Sequence, residues 1–299
     1  MKTSVSTGRT DFKYFADCGF EALDFQLSGY FGRNGILGKD IRNVTDEQIK
    51  ETFTELKKQA DEAGIEIYQT HSVFDGWFYA FDGDEEEAIL NIIAEIKANH
   101  YLGSKYIVVH PPFIKGRIYD LKKKENFDLA VNFYNKLMAA CEQYDVYCCS
   151  ENMFNRDPHY DHLCATICSR VSEMIDICNA VGRRMKICVD VGHAVITQDD
   201  PVEMILESAK AGKLACLHLH DNDGMHDLHT FPFMVQSAPR VGGFKPKRID
   251  WNEIMKAIKQ VGFDGALNFE VGPMGPAVLE QDSYKYLADL EKYLITLAQ

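Results

Sequence analysis

The sequence predicts an α/β fold, a single (β/α)8 TIM barrel over residues 1–299 with its active site at the C-terminal ends of the strands. Eight short apolar or β-branched runs alternate with eight helical segments, and no stretch rich in glycine, serine or proline divides them. His71, His110, Glu151, Asp190, His218 and Glu270 fall at or near the ends of the third to eighth strands in succession. A closed barrel converges six such side chains on one axis; the alternative, a doubly wound open sheet, does not.

The first strand is expected near Thr3–Thr7 and the second at Ala22–Gln26, with a helix over Asp11–Cys18 between them. Thr45 and Gln48 have capping-box spacing ahead of a helix over Asp46–Ala63, which Gly64 closes before a third strand, Ile65–Thr70, with His71 at its end. A helix from Asp84 to Asn99 precedes a fourth strand, Lys105–Val109, stopped by His110-Pro111-Pro112. The lysine-rich Leu121–Glu125 stretch leads into a helix through Gln143, and a fifth strand, Val146–Ser150, delivers Glu151. After a loop with Arg156, Asp157 and Pro158 come a helix at Ser169–Val181 and a sixth strand, Lys186–Asp190, running on into Val191-Gly192-His193. Asp200-Pro201 reads as N-cap and first-turn proline of a helix to Lys210. The seventh strand leads into the densest patch of metal-seeking side chains, residues 214–229, where alternation turns His218 and His220 to one face and Leu217 and Leu219 to the other. A long loop to Arg248, a helix at Trp251–Val261, an eighth strand at Ala266–Val271 and a helix from Tyr284 to Thr296 complete the ring.

The net charge of −13 disfavours a broad nucleic-acid surface and makes small solutes the expected partners. The first residues lack an apolar core of signal-peptide length and no later segment is uninterruptedly apolar over a membrane's thickness, so a cytoplasmic protein without membrane association is expected. Cys148, Cys149, Cys188 and Cys216 lie inside apolar runs and read as packed thiols rather than a disulfide framework. Homodimers or tetramers are the general expectation for such a chain, although no single stretch marks an interface.

Two glutamates, an aspartate and a histidine from four strands make an oxygen and nitrogen shell suited to Mn²⁺, Mg²⁺, Co²⁺ or Zn²⁺. Arg156 is the only basic residue shortly after the fifth, sixth or eighth strand, so Glu151, Asp190 and Glu270 are expected to want a cation. His71, His110, His193 and His220 are expected to contact substrate or support ligands, and either His218 or His220 can complete the shell. His100, His159 and His162 read as surface residues. Trp77, Phe78 and Phe113 offer an apolar wall, or ordinary loop packing. Arg240, Lys245, Lys247 and Arg248 around Gly242-Gly243 offer a phosphate site, or a solvated basic loop.

The ordered set Ser150-Glu151-Asn152, Val189-Asp190-Val191-Gly192-His193, His218-Leu219-His220-Asp221, and Ile249-Asp250-Trp251 through Gly262-Phe263-Asp264-Gly265-Ala266 to Glu270 resembles the xylose isomerase-like, endonuclease IV-like barrels over nearly the whole chain. That family's pattern of histidine, two residues, then aspartate fits His218 to Asp221, so the resemblance selects His218 as ligand. In the sugar isomerase and epimerase branch it implies one divalent metal on Glu151, Asp190, His218 and Glu270, with His193 touching a sugar or sugar phosphate. Glu151 and Glu270 would then exchange proton-removing and proton-returning roles about an enediolate.

The endonuclease IV branch implies instead two or three zincs on His71, His110, Glu151, Asp190, His193, His218, Asp227, His229 and Glu270, and phosphoester cleavage. The flanks depart from that branch: Ser-Glu-Asn-Met follows the fifth strand where the endonucleases carry a Thr-Ala-Gly segment, and the eighth ends Phe-Glu-Val-Gly rather than Leu-Glu-Thr-Pro. A metal-stabilised binding protein without turnover is the third class, disfavoured because binding alone needs no paired glutamates.

Overall fold

Among the described residues ten strands carry the architecture: β1 (Lys2–Thr7), β2 (Ala22–Gln26), β3 (Glu66–His71), β4 (Tyr106–Val109), β5 (Tyr147–Glu151), β6 (Phe154–Arg156), β7 (Leu163–Ala165), β8 (Met185–Asp190), β9 (Leu214–His218) and β10 (Ala266–Phe269). Eight form one parallel sheet in the order β10-β1-β2-β3-β4-β5-β8-β9. Its two ends meet through Leu219, whose N–H donates to Asn268 O at 2.9 Å and whose carbonyl accepts from Glu270 N–H at 3.2 Å. That contact turns the sheet into a nearly closed (β/α)8 barrel. The computed structural model describes residues 1–32, 35–37, 40–73, 84–114, 122–157, 159, 162–235, 249–272 and 280–297.

Local chemistry accounts for the helix starts. Thr45 accepts from Gln48 N–H while Gln48 accepts from Thr45 N–H, a reciprocal cap on Asp46–Ala63, and Gly64 ends that helix at φ 72°. Asp84, Asp200 and Asp250 cap the helices Glu85–Tyr101, Pro201–Lys210 and Trp251–Gln260 through their carboxylates. These devices act within one helical turn, so their effect is already contained in the sequence.

Two elements correct the sequence expectation. Residues 154–165, expected as loop, include the antiparallel hairpin β6–β7; three-residue strands are too short to display a period. The sixth barrel strand ends at Asp190, as expected, but Val191-Gly192-His193 then opens a helix, Val191–Ile196, that the pattern did not show; the Asp190 carboxylate caps it by accepting from His193 N–H at 2.7 Å.

The packing divides into two layers. Outward residues such as Leu23, Phe25, Ile107, Val109, Leu217 and Phe269 join the helices in the main core. Inside the barrel, Val108, Cys149, Cys188, Ala215 and Cys216 form a small apolar plug. Cys216 Sγ–H donates to Cys149 Sγ at 3.8 Å, and none of the nine cysteines forms a disulfide. Burial raises the Cys149 and Cys188 thiols well above their ordinary range, as inert packed thiols require. Among the described residues no helix is long and apolar enough to cross a membrane.

Candidate metal centre

The strand ends place Glu151 on β5, Asp190 on β8 and His218 on β9, with Glu270 directly after β10. One donor atom from each of the four lies within 4.8 Å of the others. His218 Nδ1 is 2.9 Å from Glu151 Oε1 and 3.3 Å from Glu270 Oε2. The other oxygen of Glu151 faces elsewhere: Oε2 is 3.0 Å from His110 Nε2 and 3.5 Å from His71 Nε2. Glu151 therefore bridges two donor groups, Glu151–Asp190–His218–Glu270 and His71–His110–Glu151. All six residues are buried.

His71, His218 and Glu270 make a further inner group, and an outer one, His193, His220, Asp227 and His229, lies towards the loops. Asp227 and His229 reach it because the segment after β9 folds back on itself: Asp221 and Thr230 exchange backbone hydrogen bonds of 2.7 and 3.3 Å, and Asp221 Oδ2 accepts from Val235 N–H. His229 has φ 44°, a left-handed conformation that turns its ring inward. His229 Nε2 is then 3.0 Å, and His193 Nε2 3.6 Å, from Asp227 Oδ1. His220 stacks on His229 with ring centroids 4.1 Å apart and 5° between planes, while its Nε2 lies 3.1 Å from Asp190 Oδ1. Gly192 makes room for that ring: a Cβ there would stand 2.0 Å from His220 Cε1.

The back nitrogens are tethered. Nδ1–H of His71, His193 and His229 donates to the carbonyls of Ser72, Asn152 and Glu270 at 2.8, 2.9 and 2.7 Å. Each ring is thereby fixed in a tautomer whose Nε2 faces a carboxylate. His218 is the other way round, with Nε2 tethered and Nδ1 facing the acids.

Histidines share the electrostatics of these acids. Glu151, Asp190 and Glu270 lack lysine or arginine partners among the described residues, yet the surrounding histidines compensate them. Burial pushes the Glu151 carboxyl up, but His218, His110 and His71 hold it well below the usual carboxylate range. Burial opposes charge on His193 and His229, yet Asp190 and Asp227 carry His193 up to about 10, and Asp227 and Glu270 carry His229 up to about 9. Protons on these rings and a divalent cation are alternative ways of balancing the same carboxylates. The donor set fits a cation: Asp190 Oδ2 is buried with no hydrogen-bond partner among the described residues, within a group of oxygen and nitrogen donors.

Arg240, Lys245, Lys247 and Arg248, and Trp77 and Phe78, lie outside the described residues. Phe113 packs partly buried against the main core, as ordinary loop packing. An aromatic neighbour of the donors is Phe154, 4.9 Å from the His193 ring at 77°. It borders a cavity of about 670 Å³ lined by Arg156, His162, Met225, His226 and Asp227. Asp24 and Gln69, buried inside the barrel beside His218, also escaped the sequence reading. Asp24 did leave a signal: Asp24 and Gln26 alternate with apolar residues in Ala-Leu-Asp-Phe-Gln, the period of a strand with one polar face.

Comparison with known proteins yields a consistent picture. A family described as xylose isomerase-like TIM barrel matches residues 12–290. Two curated relatives, Sinorhizobium fredii y4fM (33% identical over 98 residues) and Methanocaldococcus jannaschii MJ1311 (23% over 185 residues), align over 33% and 62% of this chain. These alignments span 27% and 56% of the relatives' own lengths. Similar solved structures include a D-tagatose 3-epimerase-like protein (TM-score 0.72, 18% identity, 100% of this chain and 98% of that one). D-psicose 3-epimerase from Clostridium cellulolyticum H10, solved with D-tagatose, gives a TM-score of 0.66 at 19% identity over 99% of both chains. An L-ribulose 3-epimerase gives 0.66 at 13% identity over 99% of this chain and 95% of that one.

Proposed function

Since the chain belongs to the xylose isomerase-like TIM barrels, we propose that it is a divalent-metal-dependent isomerase or epimerase of a ketose or sugar phosphate. The observation that carries this reading is the convergence of Glu151, Asp190, His218 and Glu270 from four strand ends, with donor atoms within 4.8 Å. Those residues would hold one Mn, Mg, Co or Zn ion. When bound, the ion supplies Lewis-acid polarisation of the sugar's carbonyl and neighbouring hydroxyl oxygens, lowering the cost of enediolate formation.

The remaining steps belong to the protein. One carboxylate, Glu151 or Glu270, takes the proton from the carbon beside the carbonyl. The other, as the acid, returns a proton to the opposite face, inverting that centre. Isomerisation instead needs a single carboxylate to move the proton between adjacent carbons. Burial of Glu151 and Glu270 keeps bulk water from the proton in transit. His193, beside Phe154, orients a sugar hydroxyl.

The test is elemental analysis of protein purified without chelator, alongside Glu270→Gln, followed by a ketose panel in deuterated water, with and without phosphate on each sugar. One ion per chain, reduced in the variant, and solvent deuterium on the product carbon support the proposal. Absence of both a bound divalent ion and deuterium incorporation rejects it. A phosphate preference would direct attention to Arg240, Lys245 and Lys247.

A specific observation favours a second reading, an endonuclease IV-like zinc phosphoesterase. His71–His110–Glu151 and His193–Asp227–His229 lie in two further donor groups beside the first. Two or three zincs per chain and cleavage of abasic DNA would select it, against the adverse net charge of −13.

A further inference from the structure

We infer that Asp24 is the positioning residue that turns His218 towards the metal. The inference rests on the metal-dependent reading above. His71, His193 and His229 have their back nitrogens tethered by backbone carbonyls, whereas His218 is tethered by a side-chain carboxylate: Nε2 lies 3.1 Å from Asp24 Oδ2.

That oxygen is itself fixed. It accepts from Ser6 Oγ–H at 2.9 Å and from Asn268 Nδ2–H at 3.2 Å, so three barrel strands, β1, β2 and β10, set its position beneath His218 on β9. Asp24 is fully buried, and His218 is its one ion-pair partner among the described residues. Gln69 Nε2 faces the same ring nitrogen at 3.0 Å, where a proton on His218 Nε2 leaves nothing to accept its N–H; with the amide turned over, Oε1, which otherwise lacks a partner, becomes a second acceptor for the His218 proton.

The consequence is chemical. With Nε2–H donated to Asp24, the lone pair of His218 lies on Nδ1, the atom 2.9 Å from Glu151 Oε1 and 3.3 Å from Glu270 Oε2. A carboxylate acceptor also makes the imidazole a more basic ligand than a carbonyl acceptor does. Asp24 acts through His218 and touches no substrate.

Two measurements on the full-length protein test this. Competition between the protein and a chromophoric chelator for Zn²⁺ compares wild type with Asp24→Asn, with melting of the metal-free proteins as the structural control. A loss of about 10- to 100-fold in affinity for the ion on His218, without a matching loss of metal-free stability, is the expected result. Affinity within twofold of wild type overturns the role of Asp24 while leaving the metal reading intact. A wild-type protein that binds no divalent ion overturns both.

The second measurement needs no variant and so survives a failure of Asp24→Asn to fold. In ¹⁵N-histidine spectra of the zinc-loaded wild type, His218 coordinates through Nδ1 and carries its proton on Nε2. The reverse tautomer overturns the inference.

Discussion

Glu151 and His218 stand on hydrogen-bonded strands with almost no exposed surface, whereas Asp227 and His229 stand on the loop after β9 with side chains 30% and 29% exposed. Both sets bring histidines and carboxylates within hydrogen-bonding distance, but what holds them differs. The inner residues are placed by parallel pairing on both sides, with β5 laddered to β4 and β8, and β9 laddered to β8 and joined to β10 by the Leu219–Phe269 bridge. The outer ones depend on the Asp221–Thr230 backbone pair and on a left-handed His229, a conformation that costs about 1 kcal/mol or more. Strand-borne donors are preorganised, while loop-borne donors must be held in place against loop opening. An ion in the inner group should therefore be the tighter and the more closely tied to turnover.

Replacing Glu151 tests that ranking most severely, because it serves two of the inner groups. Glu151→Gln should strip the inner ion and lower sugar turnover by about 10³-fold, the scale of losing a positioned acid–base group. Metal content and a ketose assay on the same preparation check it. Turnover within tenfold of wild type would move the chemistry away from the inner group.

Glu95 sharpens the contrast between burial with and without hydrogen-bonded histidines. It is as buried as Glu151, holding Val73 N–H at 3.1 Å and the Ser72 hydroxyl, and burial pushes its carboxyl up to about 7. A folded-state value raised above the unfolded one means that its stabilising contribution is complete below the unfolded range near 4.5 and is lost as pH rises through 7. Glu95→Gln removes that loss. The variant should be more stable than wild type by roughly 3 kcal/mol at pH 8 and nearly equal at pH 4.5. Denaturant unfolding at the two pH values decides it, and a pH-independent difference would show that Glu95 is not the titrating group.

Gly192→Ala probes the support of the outer group. The added methyl meets the buried His220 ring, held between Asp190 and His229, and the ring has to move. A destabilisation of roughly 1–3 kcal/mol follows, with the inner ion retained and any ion in the outer group held more weakly. An unchanged melting temperature would mean that the ring is not held as described. The smallest effect on turnover belongs to Asp227→Asn: less than about tenfold, or about 1.4 kcal/mol in the barrier. Loss of an outer ion with the inner one retained would separate the groups, and equal loss of both would abolish the distinction between them.

Much of the frame was legible beforehand, and the reasons are local. The second strand, Ala22–Gln26, and the helix Asp46–Ala63 have the boundaries their patterns predict, because strand alternation and the Thr45–Gln48 cap operate between residues at most four apart. The placing of six acids and histidines at strand ends was legible for the same reason. The hairpin β6–β7 and the helix after Asp190 were not, being too short to show a period.

His218 and His220 share strand parity, so their sequence marks both as inward-facing and separates neither. Closure of the sheet at Leu219 sets His218 against Glu151, 67 residues away, and Asp24, 194 residues away, and sets His220 against Asp190 instead. The amino-acid sequence alone determined which side chains line the barrel mouth, through period and capping. Which donor faces which was decided only by the closed tertiary structure, because those distances are set by the ring of eight strands rather than by any neighbour along the chain.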